Sequence, residues 1–196
     1  MDSDSLRAEK ARVRREVREA SAALPESYLR DAGRRIAAAV TALPDWKEAR
    51  VIMAYASMSR EPDTAEIIRE ALKDGKTVLL PRCADDRRME AFPVRDLSEL
   101  KEGRMGIPEP PDAPAGEKIP QPDLILVPCV AAAMDGRRLG HGAGYYDRFL
   151  AGRGAKTFCL CFGRLLREDL PAGPEDIRMD AVVTEDGAVL LTEKRS

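Results

Sequence analysis

The sequence has no excess of charge: 32 lysines and arginines stand against 34 aspartates and glutamates, a formal net charge of −2 over 196 residues. Nothing in that balance would hold nucleic acid or an anionic membrane, so a polyanionic partner would need a local patch. Long apolar runs are missing too. The longest nearly uncharged stretch, Leu124 to Met134, falls far short of the roughly 20 residues that cross a bilayer, and Asp135 ends it. The opening Met1-Asp2-Ser3-Asp4 is acidic where a secretory signal is basic and then apolar, which predicts a cytoplasmic protein. Cysteine is scarce: Cys83, Cys129, Cys159 and Cys161 are too few and too unevenly spaced for a disulfide framework. Cys159 and Cys161 alternate with apolar residues and read as small side chains on one face of a strand. The sole histidine, His141, adds too little for a zinc site. No period of roughly 20 to 50 residues repeats, which removes solenoids and arrays.

What remains is an ordinary globular composition, 44% hydrophobic and 34% charged, in a chain of 21.6 kDa. That length predicts a single domain over residues 1–196. Leu6, Val13, Val17, Ala20 and Leu24 recur at helical steps and predict a helix from Ser5 to Leu24, stopped by Pro25. A second helix is predicted from Pro25 to Ala42, ended by Pro44, and a buried strand over Arg50–Ala56. Thr64 is expected to cap a helix running to Asp74, with strands at Thr77–Leu80, Asp123–Val127 and Thr157–Phe162 and a helix over Tyr145–Ala151. Strands alternating with helices imply an α/β fold with a mainly parallel, covered sheet. Ala84–Arg88 and Gly106–Gln121 read as surface loops, and an Asp-Gly turn predicts a closing hairpin over residues 180–191.

Three segments carry chemistry. The first is Gly136-Arg137-Arg138-Leu139-Gly140-His141-Gly142-Ala143-Gly144-Tyr145-Tyr146-Asp147-Arg148, between an apolar strand and a helix. Glycines let backbone N–H groups approach an anion, so the segment suits a phosphate, although a plain crossover connection has the same composition. Its spacing matches neither the dinucleotide fingerprint nor the P-loop. The second is Lys10, which occupies a stripe position where an apolar residue is expected, with Arg14 one turn on. Such a pair grips phosphate oxygens, or else forms part of a solvated basic face shared with Arg7, Arg12, Arg15 and Arg18. The third is Ser59 to Thr64, after a strand and before a helix, where open α/β sheets place ligand contacts; Glu61 there faces a crevice or simply water. Asp147 and Asp176 are of the type that binds Mg²⁺, one among many carboxylate choices.

Taken together, these segments resemble the 5-formyltetrahydrofolate cyclo-ligase family. The likeness rests on Lys10 to Arg14, Tyr55 to Thr64, Gly75-Lys76 with Leu80-Pro81-Arg82, Gly106 to Pro110, Pro128, and above all Gly136 to Arg148. It implies a three-layer α/β domain with a mainly parallel central sheet flanked by helices, akin to the CoA-transferase and ribose-phosphate isomerase architecture. It also implies an enzyme that uses ATP and Mg²⁺ to convert 5-formyltetrahydrofolate to 5,10-methenyltetrahydrofolate, ADP and phosphate. Lys10, Arg14 and Arg138, Leu139, Gly140, His141, Gly142, Ala143, Gly144, Tyr145 and Tyr146 then match the ATP contacts. Glu61 and His141 through Tyr145 match the folate contacts, and Asp147 and Asp176 the metal carboxylates. No nucleophile or general base is implied, because phosphoryl transfer is chiefly positioning and charge stabilisation. The partners expected are small molecules, with neither nucleic acid nor membrane, bound by a monomer.

The chain departs from the family where members read Gly-Leu-Ala-Phe-Asp after the proline and this sequence reads Cys129-Val130-Ala131-Ala132-Ala133. Loss of the aromatic and the carboxylate is expected to widen the crevice. Leu165 replaces a common glutamine, and Ala143 a glycine or lysine. These changes keep two alternatives open: a silent relative that binds folate or nucleotide without turnover, and an ATP-dependent ligase or kinase acting on another small molecule.

Overall fold

A computed structural model describes residues 2–84, 88–103, 106–113 and 118–191. The charged opening segment forms α1 (Ser3–Ala22), capped by Asp2, whose carboxylate accepts from the Ser5 N–H at 2.8 Å. It buries only Val13, Val17 and Ser21. α2 (Glu26–Ala42) buries a broader face, with Leu29, Ala32, Gly33, Ile36, Ala37 and Val40 at three- and four-residue steps. Pro44 does more than end it. The same proline opens α3 (Pro44–Glu48), since a missing N–H and a fixed φ suit a first helical position.

β1 (Val51–Met53), α4 (Ala65–Lys73) and β2 (Thr77–Cys83) follow. β1 is shorter than the expected Arg50–Ala56 run. The Ala54 N–H still reaches the Leu79 carbonyl at 2.9 Å, after which the chain leaves the sheet. The expected side-chain cap at Thr64 is not made: its hydroxyl donates to the Tyr55 carbonyl, and Asp63 accepts from the Ala65 N–H at 2.9 Å instead.

Sequence periodicity does not announce β3 (Met89–Val94), which pairs antiparallel with all but the first residue of β2. Pro93 conceals it, and a proline is tolerated there because β3 is an edge strand. Within the expected loops, residues 85–87 and 114–117 lie outside the described residues. β4 (Lys101–Glu102) and β5 (Pro108–Glu109) form a two-stranded ribbon, so part of the expected Gly106–Gln121 loop is paired. β6 (Leu124–Pro128) is uncharged because Leu124, Ile125, Leu126 and Val127 are all fully buried, as a central parallel strand covered on both faces requires. β7 (Ala131–Ala132) and β8 (Arg138–Leu139) make a small hairpin that the glycine-rich reading did not separate from the loop. α5 (Tyr145–Leu150), β9 (Lys156–Leu160), β10 (Ala181–Thr184) and β11 (Gly187–Leu190) complete the order, and the closing hairpin is as expected.

The main sheet runs β11-β10-β9-β6-β1-β2-β3. Its five inner strands are parallel and its two edges antiparallel, a mostly parallel α/β sheet flanked by helices. Trp46, Phe158, Phe162, Ile36, Ile52 and Met53 are the largest side chains sealed in the core. Asp123 ties two strand starts together by accepting from the N–H groups of Arg50 and Val51, both at 2.9 Å.

Candidate active site

A cleft of ≈ 1080 Å³ opens where β1, β2 and β6 end. Ligands of open α/β sheets collect at these carboxyl ends of strands. Tyr55, Pro81 and Pro128 come from or just beyond those strands, α1 forms another wall, and β8 with the loop to α5 and the segment around Asp176 closes the rim. Every residue singled out in the sequence for ATP, folate or metal lines this one cleft.

Helical spacing explains the cationic wall. Arg7, Lys10, Arg14 and Arg18 recur at three- and four-residue steps beside the buried Val13, Val17 and Ser21, so all four face the cleft. Arg12, on another face, pairs with Glu9 and Glu16. Arg7, exposed and paired with Asp4, and Arg18 share this face, a placement that arginines at helical period mark in the sequence. Burial and the neighbouring Arg18 charge lower the affinity of Arg14 for its proton, and Asp176 opposes them.

The four glycines do separate work. Gly136, at φ 86°, belongs to the β7–β8 turn, where a Cβ would lie 2.6 Å from Leu191 and 2.8 Å from the Met179 carbonyl. The other three face the cleft. A Cβ on Gly140 would come within 2.7 Å of Arg138 Nη1, and one on Gly144 within 2.8 Å of Arg148 Nη1. Gly142, at φ 109°, lets Arg14 approach so closely that a Cβ would sit 3.3 Å from Cζ. Arg14 Nε donates to the Gly140 carbonyl at 2.8 Å, and Arg148 Nη2 to the Ala143 carbonyl at 2.7 Å. The opening helix and the glycine loop therefore touch, across 126 residues of sequence.

Several charges in the cleft pair with one another. Lys10 Nζ donates to Asp176 Oδ1 at 2.7 Å, with both side chains about one-fifth exposed. Arg138 Nη2 donates to Asp147 Oδ1 at 2.8 Å; the arginine side chain is 4% exposed. Its Nε, however, is buried with no partner, as is the Tyr146 hydroxyl. Two buried donors left without acceptors are costly, a strain the site carries in this state. Glu61 is not the solvated carboxylate of the simpler reading. Its side chain is 6% exposed, accepts from the Met58 N–H at 2.9 Å and meets His141 Nε2 at 3.0 Å. Burial first, and then this carboxylate's charge, push the Tyr55 and Tyr146 hydroxyls above the usual tyrosine range, so both stay protonated donors.

Asp147 and Asp176 adjoin, since Asp147 Oδ1 also accepts from the N–H of Ile177 at 3.4 Å. Two carboxylates on a wall open to water suit Mg²⁺, which takes one or two protein oxygens and fills its shell with water and phosphate. Among the described residues no larger group of His, Cys, Asp and Glu converges on a point.

One expectation is overturned. Cys129, Val130, Ala131, Ala132 and Ala133 do not line a widened crevice: all are buried in the core, because the Val130 N–H bonds the Leu139 carbonyl and β7 pairs with β8. Leu165 is likewise buried and off the cleft. Ala143 alone of the departures meets the cavity.

A model of the 5-formyltetrahydrofolate cyclo-ligase family matches residues 6–185, nearly the whole chain. The chain belongs to this cyclo-ligase family. The 5-formyltetrahydrofolate cyclo-ligase of Saccharomyces cerevisiae is 31% identical over 93% of this chain and 98% of its own. That of Mycolicibacterium smegmatis is 34% identical over 69% of this chain and 73% of its own. Among solved structures, the 5,10-methenyltetrahydrofolate synthetase of Aquifex aeolicus superposes with a TM-score of 0.82 at 30% identity, covering 95% of both chains. The cyclo-ligase fold thus accounts for the chain from α1 to β10.

Proposed function

We propose that this chain is a cyclo-ligase that converts 5-formyltetrahydrofolate to 5,10-methenyltetrahydrofolate, using ATP and releasing ADP and phosphate. The observation that carries the reading is the meeting of α1 with the glycine loop inside a cleft built from the family's own segments, Lys10–Arg14 and Arg138–Asp147. A formyl oxygen on an amide-like nitrogen is a poor leaving group. Moving the γ-phosphoryl group onto it makes it a good one, the neighbouring nitrogen closes on the formyl carbon, and phosphate departs with the oxygen while that nitrogen loses its proton.

Such a transfer needs positioning and charge stabilisation more than a protein nucleophile. Lys10, Arg14 and Arg138 offer cations to the phosphates. Gly140 to Gly144 let the polyphosphate lie against backbone. Asp147 and Asp176 would hold Mg²⁺, which neutralises phosphate charge when bound. On the other side, Tyr55, Met58 and Met89 give a partly apolar wall for a flat ring, with buried Glu61 as an acceptor for ring N–H groups and Tyr145 and His141 at its mouth. The same reading has the protein act in the cytoplasm, where the buried thiols of Cys129, Cys159 and Cys161 would stay reduced. The test is to mix it with 5-formyltetrahydrofolate, ATP and Mg²⁺ and follow methenyl absorbance with ADP release. ADP without methenyl product would assign a different substrate, and neither product would reject the reading.

A further inference from the structure

Two of the three cations offered to phosphate are bonded to the two carboxylates offered to metal: Lys10 to Asp176 and Arg138 to Asp147. The pairs are part-buried and adjacent, joined through the Ile177 N–H on Asp147. They form a four-charge set that sums to zero. A bare polyphosphate entering it would face two carboxylates, and a bare divalent cation would face two cations. Only a metal–polyphosphate complex answers both signs at once. We propose that Asp176 and Asp147 serve as internal stand-ins for phosphate on Lys10 and Arg138, and that both pairs exchange partners when a metal–nucleotide complex enters, which makes the site selective for the complex over either component.

The inference rests on the nucleotide reading above and adds a role that a metal ligand alone does not have. Removing a ligand carboxylate weakens the metal complex and does nothing for bare nucleotide. Removing a stand-in also frees its cation. Opposite charges paired this closely and partly shielded from water couple strongly, whereas exposed pairs do not, and the partner lost must be replaced by something of equal charge. The unpartnered Arg138 Nε is consistent with an arginine that its carboxylate satisfies incompletely.

The experiment is a set of ATP titrations by calorimetry on the intact chain, in EDTA and in excess MgCl₂, for wild type, Asp176→Asn, Lys10→Met and the double variant. Mg²⁺ should tighten ATP binding to the wild type by about tenfold or more. Asp176→Asn should tighten metal-free ATP by a similar factor and shrink the Mg²⁺ effect, and that gain should vanish in the Lys10→Met background. If Asp176→Asn leaves metal-free affinity unchanged, the exchange does not occur. If its gain survives without Lys10, simple repulsion is the cause and the exchange is again refuted. The mirror measurement uses no nucleotide and does not need the Asp176 variant to fold. Lys10→Met, which releases Asp176, should bind Mn²⁺ alone more tightly than wild type by electron paramagnetic resonance, and equal binding overturns the proposal. A wild type that binds ATP in neither buffer sinks the nucleotide reading itself, an outcome distinct from failure of the exchange alone.

Discussion

Gly142→Ala offers the cleanest probe of the contact between α1 and the glycine loop. Two effects act at this position. Its φ of 109° lies beyond the left-handed well that L residues visit, so alanine would carry backbone strain of about 2 kcal/mol. Its Cβ would also stand 3.3 Å from Arg14 Cζ, tighter than such contacts ordinarily are, so the guanidinium must give by a few tenths of an ångström and its bond to the Gly140 carbonyl is loosened. Gly152 separates the two. It has a φ of 74° and nothing within 4 Å of a Cβ, so Gly152→Ala carries only a backbone cost, about 1 kcal/mol. In thermal melts, Gly142→Ala should lower Tm by about 4–8 °C and Gly152→Ala by about half as much, at this chain length. In ATP titrations with Mg²⁺, only Gly142→Ala should weaken binding, by about tenfold, the worth of one charged hydrogen bond misplaced. Equal ATP affinity in the two variants would refute the claim that Arg14 and the loop together grip the nucleotide.

Lys10→Ala should raise the KM for ATP about tenfold or more with little change in the KM for folate; an unchanged nucleotide response would put that lysine outside the phosphate site. Asp147→Asn should cripple Mg²⁺-dependent turnover and also lower Tm, since it leaves the nearly buried Arg138 uncompensated at a cost of about 2 kcal/mol; an unaltered melt would contradict the ion pair. Glu61→Gln should raise the KM for folate and leave ATP binding as it was, and the opposite pattern would reverse the division of the cleft. Tyr28, pushed up to about 12 by burial and then by its bond to Glu185, supplies stability that is intact below the unfolded tyrosine value of 10.0 and is lost as pH rises through about 12. Tm of Tyr28→Phe should therefore fall less steeply than wild type above pH 10, as scanning calorimetry would show; parallel slopes would remove Tyr28 as the source.

The sequence made the site's membership legible but not its connections. Lys10, Arg14, Glu61 and the Arg138–Asp147 block announced themselves by misplaced polarity, glycine density and family likeness. Their partners did not, because Asp176 stands 166 residues from Lys10 and nothing local marks it as a counter-ion. Arg7 and Arg18 were hidden among other arginines on α1 until the buried face oriented the helix. Short elements escaped for a related reason: β7 and β8 have two residues each, too few for periodicity to register, and so the alanines of β7 read as cleft lining when they are core. The long apolar run of β6 and the stripe of α2 were readable because burial alone dictated them.

Gly136 lies off the cleft lining, yet its carbonyl accepts the Met179 N–H at 2.9 Å and its bare Cα leaves room for Leu191. That seam fastens the strand bearing Arg138 to the stretch bearing Asp176. A methyl group at 136 would act as a wedge, spreading the two banks of the cleft apart, so damage to catalysis is expected from a residue whose own contacts are wholly structural.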